Sequence, residues 1–251
     1  MKNDRFVLMI LLILFWQVLA WLEVFPSYKL PSPANIVKGF YSLLLEGTPP
    51  GYLLHKHALY SLYRVSIGYG LALIAAVPLG LMMGWSKKIN DLFSPIIEVI
   101  RPIPPLAWIP IAILWLGIGI KSAAFIIFLG AFFPILLNTI SGVLSINPML
   151  IEAARTLHAN EKDIFIKVLF PGAIPSIYTG MRIGIGIGWM TLVAAEFTGV
   201  REGYGLGYMI MTSRDIQKPD EIIAGMLVIG MVGFLIDKAL RFAETRGAAW
   251  R

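Results

Sequence analysis

The chain contains no cysteine among its 251 residues, so it has neither a disulfide framework nor a thiolate metal site. Only three histidines occur, and His55 and His57 are two positions apart, which places them on different faces of a helix. These absences argue against a metal-dependent enzyme, and we predict no metal site. Charged residues are also scarce, at 14% of the chain against about 25% in an ordinary soluble domain. Because 57% of the residues are hydrophobic, the deficit of charge indicates a lipid environment.

Signatures of nucleotide binding and of catalysis are missing as well. No G-x-x-x-x-G-K-[ST] phosphate loop occurs, so we do not expect the chain to hydrolyse ATP. Gly203, Gly205 and Gly207 are too evenly spaced for a dinucleotide fingerprint, and we predict a flexible external loop there. No set of nucleophile, base and acid is evident, so we predict no catalytic residue and no cofactor in this chain. The net charge of +6 is interpreted as basic residues retained on the cytoplasmic side of a membrane, not as a nucleic-acid surface.

Long apolar stretches predict an all-α membrane protein with a single transmembrane domain over residues 1–251. Six such spans cover residues 6–22, 58–85, 94–118, 122–144, 176–198 and 221–240. The first span lacks a small-residue cleavage site, so we interpret it as a retained helix. After it, Ser32 or Pro33 opens a short amphipathic helix over residues 34–45 that suits a membrane surface. Glycines at four-residue spacing predict close helix contacts at Gly80 and Gly84 and at Gly180, Gly184 and Gly188.

The distribution of basic residues predicts the orientation, because an even number of spans places both termini on one side. That side carries Lys2, Arg5, Lys87, Lys88, Arg155, Lys162, Lys167, Arg241, Arg246 and Arg251. The opposite side carries Lys29, Lys38, Lys56, Lys121, Arg201, Arg214 and Lys218, spread over longer loops. The bias is moderate, and it predicts that both termini and the segment 147–175 face the cytoplasm.

The segment 147–175 is the longest amphipathic, charged stretch between the spans. Asn147 is a good N-cap followed by Pro148, and Asn160 is a second N-cap with Asp163 three residues later. An apolar stripe on the first helix comprises Met149, Leu150, Ala153, Ala154 and Leu157. We therefore predict a helix, a tight bend around His158-Ala159, and a second helix that Pro171-Gly172 stops. Periodicity alone leaves open whether this hairpin merely caps the helix bundle.

The sequence EAARTLHANEKDIFIKVLFP within this segment resembles the EAA signature of the permease subunits of ABC importers. Glu152, Ala153, Ala154 and Pro171 match the signature directly, and Val168 and Phe170 replace its usual Ile and Leu. His158 stands where the family has a glycine, which serves a left-handed backbone turn. Histidine is enriched among non-glycine residues at positive φ, so we expect the bend to survive at a cost of about 1 kcal/mol.

Further stretches resemble the nitrate, sulfonate and taurine branch of that family. They are LPSPANIV (30–37), YRVSIGYGLALIAAVPLGLMMG (63–84), RPIPPLAWIPIAILWLGIG (101–119) and GMRIGIGIGWMTLVAAEF (180–197). The resemblance implies a homodimeric permease with an ATPase dimer that uses ATP and Mg²⁺, and a periplasmic or lipid-anchored solute-binding protein. It also implies that residues 147–175 form a coupling loop that docks on the ATPase through Glu152, Ala153, Ala154, Leu157 and His158. The implied solute is a small oxyanion, with bicarbonate or a thiamine-precursor pyrimidine as alternatives.

Candidates for the translocation path come from prolines and charges within the spans. The run from Arg101 to Pro110 contains Pro104, Pro105 and Trp108, and broken helices are tolerated in a membrane only against protein or a water-filled cavity. Arg182 and Glu196 lie within a span, where ionisable groups are functional candidates by default. Glu98 and Arg101 are three apart and could simply pair.

Two other classes of function stay open from the residues alone. A membrane enzyme such as a lipid-modifying transferase would need clustered acids or histidines at one membrane face, and the sequence lacks them. A channel or secondary carrier that works without ATP would leave the EAA-like loop unexplained.

Overall fold

The computed structural model describes residues 2–198 and 203–247 of the chain, and within these ranges it leaves out the side chains of residues 2–6, 243 and 245–247. Arg201 and Arg251, which entered the charge-bias argument, therefore lie outside the described residues, as do the side chains of Lys2, Arg5 and Arg246.

Throughout the described ranges the chain is almost entirely helical, which confirms the predicted fold class. The helices are α1 (Lys2–Trp21), α2 (Pro33–Leu45), α3 (Leu54–Trp85), α4 (Lys87–Ile100), α5 (Ile109–Leu116), α6 (Ile120–Leu144), α7 (Pro148–Thr156), α8 (Glu161–Ile164), α9 (Phe170–Phe197), α10 (Leu206–Asp215) and α11 (Pro219–Gly247). A short 3₁₀ helix, Pro105–Trp108, precedes α5, and a π turn, Phe165–Leu169, joins α8 to α9.

Four helical stretches of the described residues are long and apolar enough to cross a membrane: Leu54–Trp85, Ile120–Leu144, Glu161–Phe197 and Pro219–Phe242. The predicted third span is instead a pair of helices, Lys87–Ile100 and Pro105–Leu116, bent by 82°. Its first helix starts earlier than predicted because Ser86 accepts a hydrogen bond from Ile89 N–H. The apolar part of α1, Val7–Trp21, is shorter than the other spans. The count of six spans is compatible with these helices and stays a prediction.

Contacts group the chain into two compact units, which we describe separately. The first comprises Met1–Leu62 and Glu196–Val232, and the second comprises Tyr63–Ala195 and Gly233–Arg251. The single transmembrane domain over residues 1–251 stays a prediction.

In the second unit, α6 is the most deeply buried helix and contacts α3 and α9 through the predicted glycines. A Cβ atom on Gly84 of α3 would lie 2.6 Å from Val143 Cβ, and one on Gly80 would lie 2.7 Å from Thr139 Cβ. On α9, a Cβ on Gly184 would lie 2.9 Å from Ile135 Cγ1 and 3.0 Å from the Ala131 carbonyl oxygen. Small residues at these positions let the helix backbones approach closely, as predicted.

Substitution at Gly184 tests this packing, and Gly186 on the same helix provides a matched control. Gly184→Ala should lower the free energy of unfolding by about 1–3 kcal/mol, because the new methyl group overlaps Ile135 and the α6 backbone. At Gly186 a Cβ would meet nothing within 4 Å, so Gly186→Ala should leave stability unchanged or raise it by up to about 1 kcal/mol. Thermal unfolding of the purified protein in detergent measures both. An equal loss of stability in the two variants would contradict the proposed packing.

In the first unit, a buried polar network fixes the start of α10. Ser61 Oγ donates to the Glu196 carboxylate at 2.8 Å, while Leu206 N–H donates to Ser61 Oγ at 2.9 Å. Gly207 N–H donates to Glu196 Oε2 at 2.9 Å, and Gly205 N–H donates to His57 Nδ1 at 3.0 Å. Glu196 therefore places a negative charge at the N-terminus of a helix, where free N–H groups and the helix dipole favour it.

The prediction of a flexible loop around Gly203, Gly205 and Gly207 is wrong for the last two residues. Both are buried, Gly205 precedes α10 and Gly207 lies within it. The carboxylate of Glu196 comes so close that a Cβ on Gly205 would lie 2.6 Å from its Cδ atom. Glycine at position 205 lets the backbone approach the Glu196 carboxylate closely. The polar partners that order this segment are 11 to 148 positions away in sequence.

A second buried carboxylate, Glu221, joins α2, α10 and α11 of the same unit. Ser42 Oγ donates to its Oε1 at 3.2 Å and Ser213 Oγ to its Oε2 at 3.1 Å. Lys218 Nζ lies 2.7 Å from Oε1, and this hydrogen bond raises the pKa of the lysine above its usual value. With these partners the buried charge of Glu221 is compensated, as burial requires.

Candidate functional site

The candidate functional surface lies on the segment between α6 and α9. Asn147 caps α7, since its Oδ1 accepts a hydrogen bond from Met149 N–H at 2.9 Å, and Pro148 takes the first helical position. Asn160 caps α8 by accepting a hydrogen bond from Asp163 N–H at 2.8 Å. Each cap satisfies an N–H group that a helix start leaves without an intrahelical partner. The predicted order of helix, bend and helix is confirmed.

The bend at the end of α7 is a Schellman motif with His158 at the position that glycine usually takes. His158 has a φ of 61°, as its correspondence to the family's glycine predicts. Ala159 N–H donates to the Ala154 carbonyl at 3.0 Å, and His158 N–H donates to the Arg155 carbonyl at 2.9 Å. These two bonds satisfy carbonyl groups at the helix end and hold the left-handed residue in place.

Two substitutions at position 158 measure the cost of this conformation. His158→Gly should leave the protein as stable or stabilise it by about 1 kcal/mol, because glycine adopts positive φ without a steric penalty. His158→Val should lower stability by about 1 kcal/mol or more, since a β-branched side chain is strained there. Thermal unfolding is the measurement. A clear loss of stability in His158→Gly would instead show that the imidazole makes a specific contact.

The predicted stop at Pro171-Gly172 is wrong, because the chain continues from α8 through the π turn into α9. In the π turn, Phe170 N–H donates to the Phe165 carbonyl, five residues earlier. This wider turn lies immediately before Pro171, whose ring would clash with a regular helical turn. The hairpin is therefore joined without a break to a helix that is long enough to cross the membrane.

The two faces of α7 differ in what they contact. Ile151 and Ala154 pack against a buried cluster that includes Ile164, Leu169 and Ala173. The outer face, which we call the coupling face, consists of Met149, Leu150, Ala153 and Leu157. On it, Met149 is 71% exposed, Leu150 58% and Leu157 82%. The predicted stripe is thus divided, since Ala154 points inward while the other four residues point outward.

Charges surround the coupling face without covering it. Arg155 Nη2 lies 3.2 Å from Glu161 Oε1, and Lys167 Nζ lies 2.7 Å from Asp163 Oδ1, and both pairs are solvent-exposed. Such exposed pairs contribute at most about 1 kcal/mol each. Glu152 is exposed, and its carboxylate has no ion-pair partner among the residues that the structure describes. The loop therefore exposes large apolar side chains beside this acidic group, which is typical of an interaction surface.

The translocation-path candidates from the proline-rich run occupy the bent connection between α4 and α5. Arg101 follows the last residue of α4 and is exposed, like Pro104, while Pro105 opens the 3₁₀ helix. Trp108 packs edge-on against Phe125 of α6, with ring centroids 6.4 Å apart. The suggested pairing of Glu98 with Arg101 does not appear among the ion pairs of the described residues.

Arg182 of α9 forms an ion pair that the sequence interpretation missed. Its Nε donates to Asp237 Oδ1 of α11 at 2.7 Å, and Arg241 Nε donates to the other oxygen of Asp237 at 2.8 Å. Asp237 lies within the predicted span 221–240, and Arg241 follows it by four residues, just beyond that span; this spacing is the signal that could have identified the pair. Glu196, the last path candidate, belongs to the first unit, where it holds α10.

Comparisons with known proteins agree on one class. A family model described as "binding-protein-dependent transport system inner membrane component" matches residues 76–243. A putative ABC transporter permease of Methanocaldococcus jannaschii is 46% identical over 79% of this chain and 74% of its own length. The taurine transport system permease of Escherichia coli is 36% identical over 97% of this chain and 87% of its own. The nitrate import permease of a Synechocystis species is 36% identical over 93% of this chain and 85% of its own length.

A solved structure shows the same fold. A chain in an inward-facing structure of the MetNI methionine ABC transporter superposes with a TM-score of 0.64. The match covers 76% of this chain and 94% of the other, at 21% sequence identity.

Proposed function

Because this chain belongs to the family of binding-protein-dependent transport system inner membrane components, the permease subunits of ABC importers, we propose that it imports a small oxyanion. Permeases of this family work with an ATPase and with a solute-binding protein. The chain is a multi-pass membrane protein, and its part of the work is to carry the solute across the bilayer.

The solute class rests on the names of two relatives that match almost the whole chain. One is a taurine permease and the other a nitrate permease. Taurine carries a sulfonate group, so both solutes present a compact group of negatively charged oxygen atoms. We therefore favour an oxyanion of the sulfonate or nitrate type.

Contact with the ATPase is the role we assign to the coupling face and its surroundings. Met149, Leu150 and Leu157 are too exposed and too large to be explained by packing within the described chain. Ala153 is part of this surface, and Glu152 and the bend at His158 lie beside it. Ala154 lies on the opposite side of α7 and packs against the buried cluster. An apolar groove on the ATPase would bury the face in the helix-in-groove manner.

The assembly we propose contains two copies of this chain, an ATPase dimer and a binding protein that is periplasmic or lipid-anchored. Both termini then lie in the cytoplasm with the coupling loop, as the bias of basic residues favours. In this assembly ATP and Mg²⁺ are used by the ATPase, and we expect no catalytic residue and no cofactor in this chain.

The mechanism follows from the continuity between α8 and α9. Closure of the ATPases around ATP moves the coupling face, and α8 and the π turn pass this movement to α9 without an intervening loop. Repacking of the spans then alternates between outward-open and inward-open states. The path candidates Arg101, Pro104, Pro105, Trp108 and Arg182 are proposed to lie near the moving solute, where weak and transient contacts are sufficient. Glu196, the remaining path candidate, is fully buried, and we assign it to holding the start of α10.

Reconstitution tests this function directly. The permease should be assembled in proteoliposomes with its ATPase, and binding protein should be supplied from outside with labelled taurine or nitrate. We expect uptake that requires ATP and binding protein together. Uptake that is independent of ATP would favour a channel or secondary carrier instead, and failure with both solutes would overturn the proposed solute class.

A further inference from the structure

We propose that the triad of Arg182, Asp237 and Arg241 is a transit site for the oxyanion group of the transported solute. The inference rests on the proposed function and deepens it, since it assigns the residues that contact the solute and the residue that orients them. It is carried by three observations: the position of the charges, their hydrogen bonds and the cavity beside them.

The first observation is that charged side chains are exposed within membrane-spanning helices. Arg182 lies in the span Glu161–Phe197 and Asp237 in the span Pro219–Phe242, while Arg241 lies at the very end of the second span, on the side that the basic residues assign to the cytoplasm. Their side chains are 37%, 37% and 60% exposed, respectively. Contact with hydrocarbon would be costly for such groups, so this face borders a polar space or another polar surface. A water-filled path for an anion satisfies that requirement.

The second observation is how the triad uses its donors. Asp237 accepts one bond on each carboxylate oxygen, from Arg182 Nε at 2.7 Å and from Arg241 Nε at 2.8 Å. The terminal guanidinium nitrogens of both arginines make no hydrogen bond within the described part of the chain. Asp237 is therefore a positioning residue that holds two guanidinium groups by their inner ends and leaves their outer donors for a ligand. Those donors match the geometry of an oxyanion.

The third observation is a cavity of about 320 Å³ beside Arg182 and Asp237, lined further by Thr179, Ile183 and Glu244. Thr179 Oγ1 donates its proton to the Pro175 carbonyl at 3.1 Å, so this hydroxyl has no free donor for an oxyanion and the guanidinium groups are the donors at the cavity. Arg182 and Arg241 carry two positive charges, and Asp237 and Glu244 carry two negative charges, so the triad and the cavity wall together have no net charge. An oxyanion would therefore be held by the directed guanidinium donors and not by a net positive field, and such weak, transient binding is what a transit site requires.

The alternative is that Arg182 and Asp237 only hold α9 and α11 together. Neutralising both partners separates the two possibilities. Removing a single charge disturbs an ion pair in either case, but the double replacement Arg182→Gln with Asp237→Asn leaves two neutral amides that can bond to each other. A purely structural pair would be restored by this double variant, whereas a solute-binding arginine would still be missing.

The experiment uses the reconstituted transporter with its ATPase and binding protein, and whichever of taurine or nitrate the wild type imports. We expect Arg182→Gln and the double variant each to reduce uptake at least tenfold. Stimulation of ATP hydrolysis by the loaded binding protein should stay within about twofold of wild type in the double variant. Lys238→Gln is the matched control, because it removes a positive charge from the same turn of α11 outside the triad, and its uptake should be unchanged.

Three results would overturn the inference while the proposed function stands. They are wild-type uptake in Arg182→Gln, recovery of uptake in the double variant, and loss of the permease dimer in the double variant, which would assign the triad to a subunit interface. A wild type that imports neither taurine nor nitrate would instead overturn the proposed solute class, and the transit site with it.

Discussion

Leu157→Asp is expected to abolish co-purification of the permease with its ATPase while the permease itself remains folded. Leu157 is 82% exposed at the end of α7 and belongs to the coupling face with Met149, Leu150 and Ala153. Burying a leucine side chain in a partner's groove is worth about 2 kcal/mol, which corresponds to about a 30-fold change in affinity. Aspartate loses this contribution and adds the cost of burying a charge, so the expected loss of affinity is larger still.

Lys162→Glu provides a control for the introduced acid. Lys162 is exposed on α8, so this variant makes the same loop more acidic outside the coupling face. It should retain the ATPase and support uptake. Thermal unfolding of Leu157→Asp should match that of the wild type, because the side chain contributes little to packing within the chain. ATPase co-purification and solute uptake at wild-type levels in Leu157→Asp would contradict the assigned docking surface.

The same surface predicts effects for its neighbours. Glu152→Lys reverses the exposed charge beside the coupling face, and a bulky residue at Ala153 prevents close approach of the partner. Each change should weaken ATPase association or uncouple hydrolysis from uptake. The effect should be smaller than that of Leu157→Asp, because neither change places a charge in the centre of the apolar contact.

Glu196→Leu is expected to give the largest loss of stability among single substitutions in the first unit. The carboxylate accepts hydrogen bonds from Ser61 Oγ and from Gly207 N–H, and it is fully buried. Leucine leaves these donors unsatisfied at the start of α10, at a cost of about 2–4 kcal/mol. Faster proteolysis around residues 203–215 and a lower melting temperature are the measurements.

The isosteric variant Glu196→Gln separates this structural role from a role in the path. Glutamine keeps an acceptor oxygen for Ser61 or Gly207, so it should lose only about 1 kcal/mol and retain most of the uptake. If Glu196 contacts the solute, as its position within a span first indicated, uptake would fall sharply in Glu196→Gln without a matching loss of stability. An unchanged melting temperature in Glu196→Leu would show that Glu196 does not hold α10.

Local features of the candidate site were predictable because local chemistry decides them. Asn147 and Asn160 each cap the helix that begins one residue later, so the relevant N–H groups are within three positions. His158 has the positive φ that the neighbouring helix end requires, and both bonds of the motif come from residues within five positions. Four of the six predicted spans could be predicted equally well, since mean apolarity over about 20 residues measures their fit to a bilayer.

Features that depend on distant residues were missed or misread. We predicted a loop at Gly205 and Gly207, because nothing near them in sequence indicates order. The groups that order this segment belong to His57, Ser61 and Glu196, which are distant in sequence. We predicted that Pro171 ends a helix. A π turn accommodates this proline instead, and such a turn cannot be recognised from the spacing of hydrophobic residues. Arg182 drew attention as a lone intramembrane charge, yet its partner Asp237 is 55 positions away.

The amino-acid sequence was sufficient to predict that the chain is helical, that it fits a bilayer, and that the segment after α6 is a capped hairpin. Each of these depends on composition, on periodicity or on contacts within one turn of helix, and the family resemblance added the EAA-like motif. Which side of α7 faces outward could be seen only from the packing of the helices, because Ile164 and Leu169 bury Ala154 while Leu157 stays exposed. That packing alone also joined Asp237 to two arginines and Glu196 to α10, since pairing between helices depends on how they pack and not on what each contains.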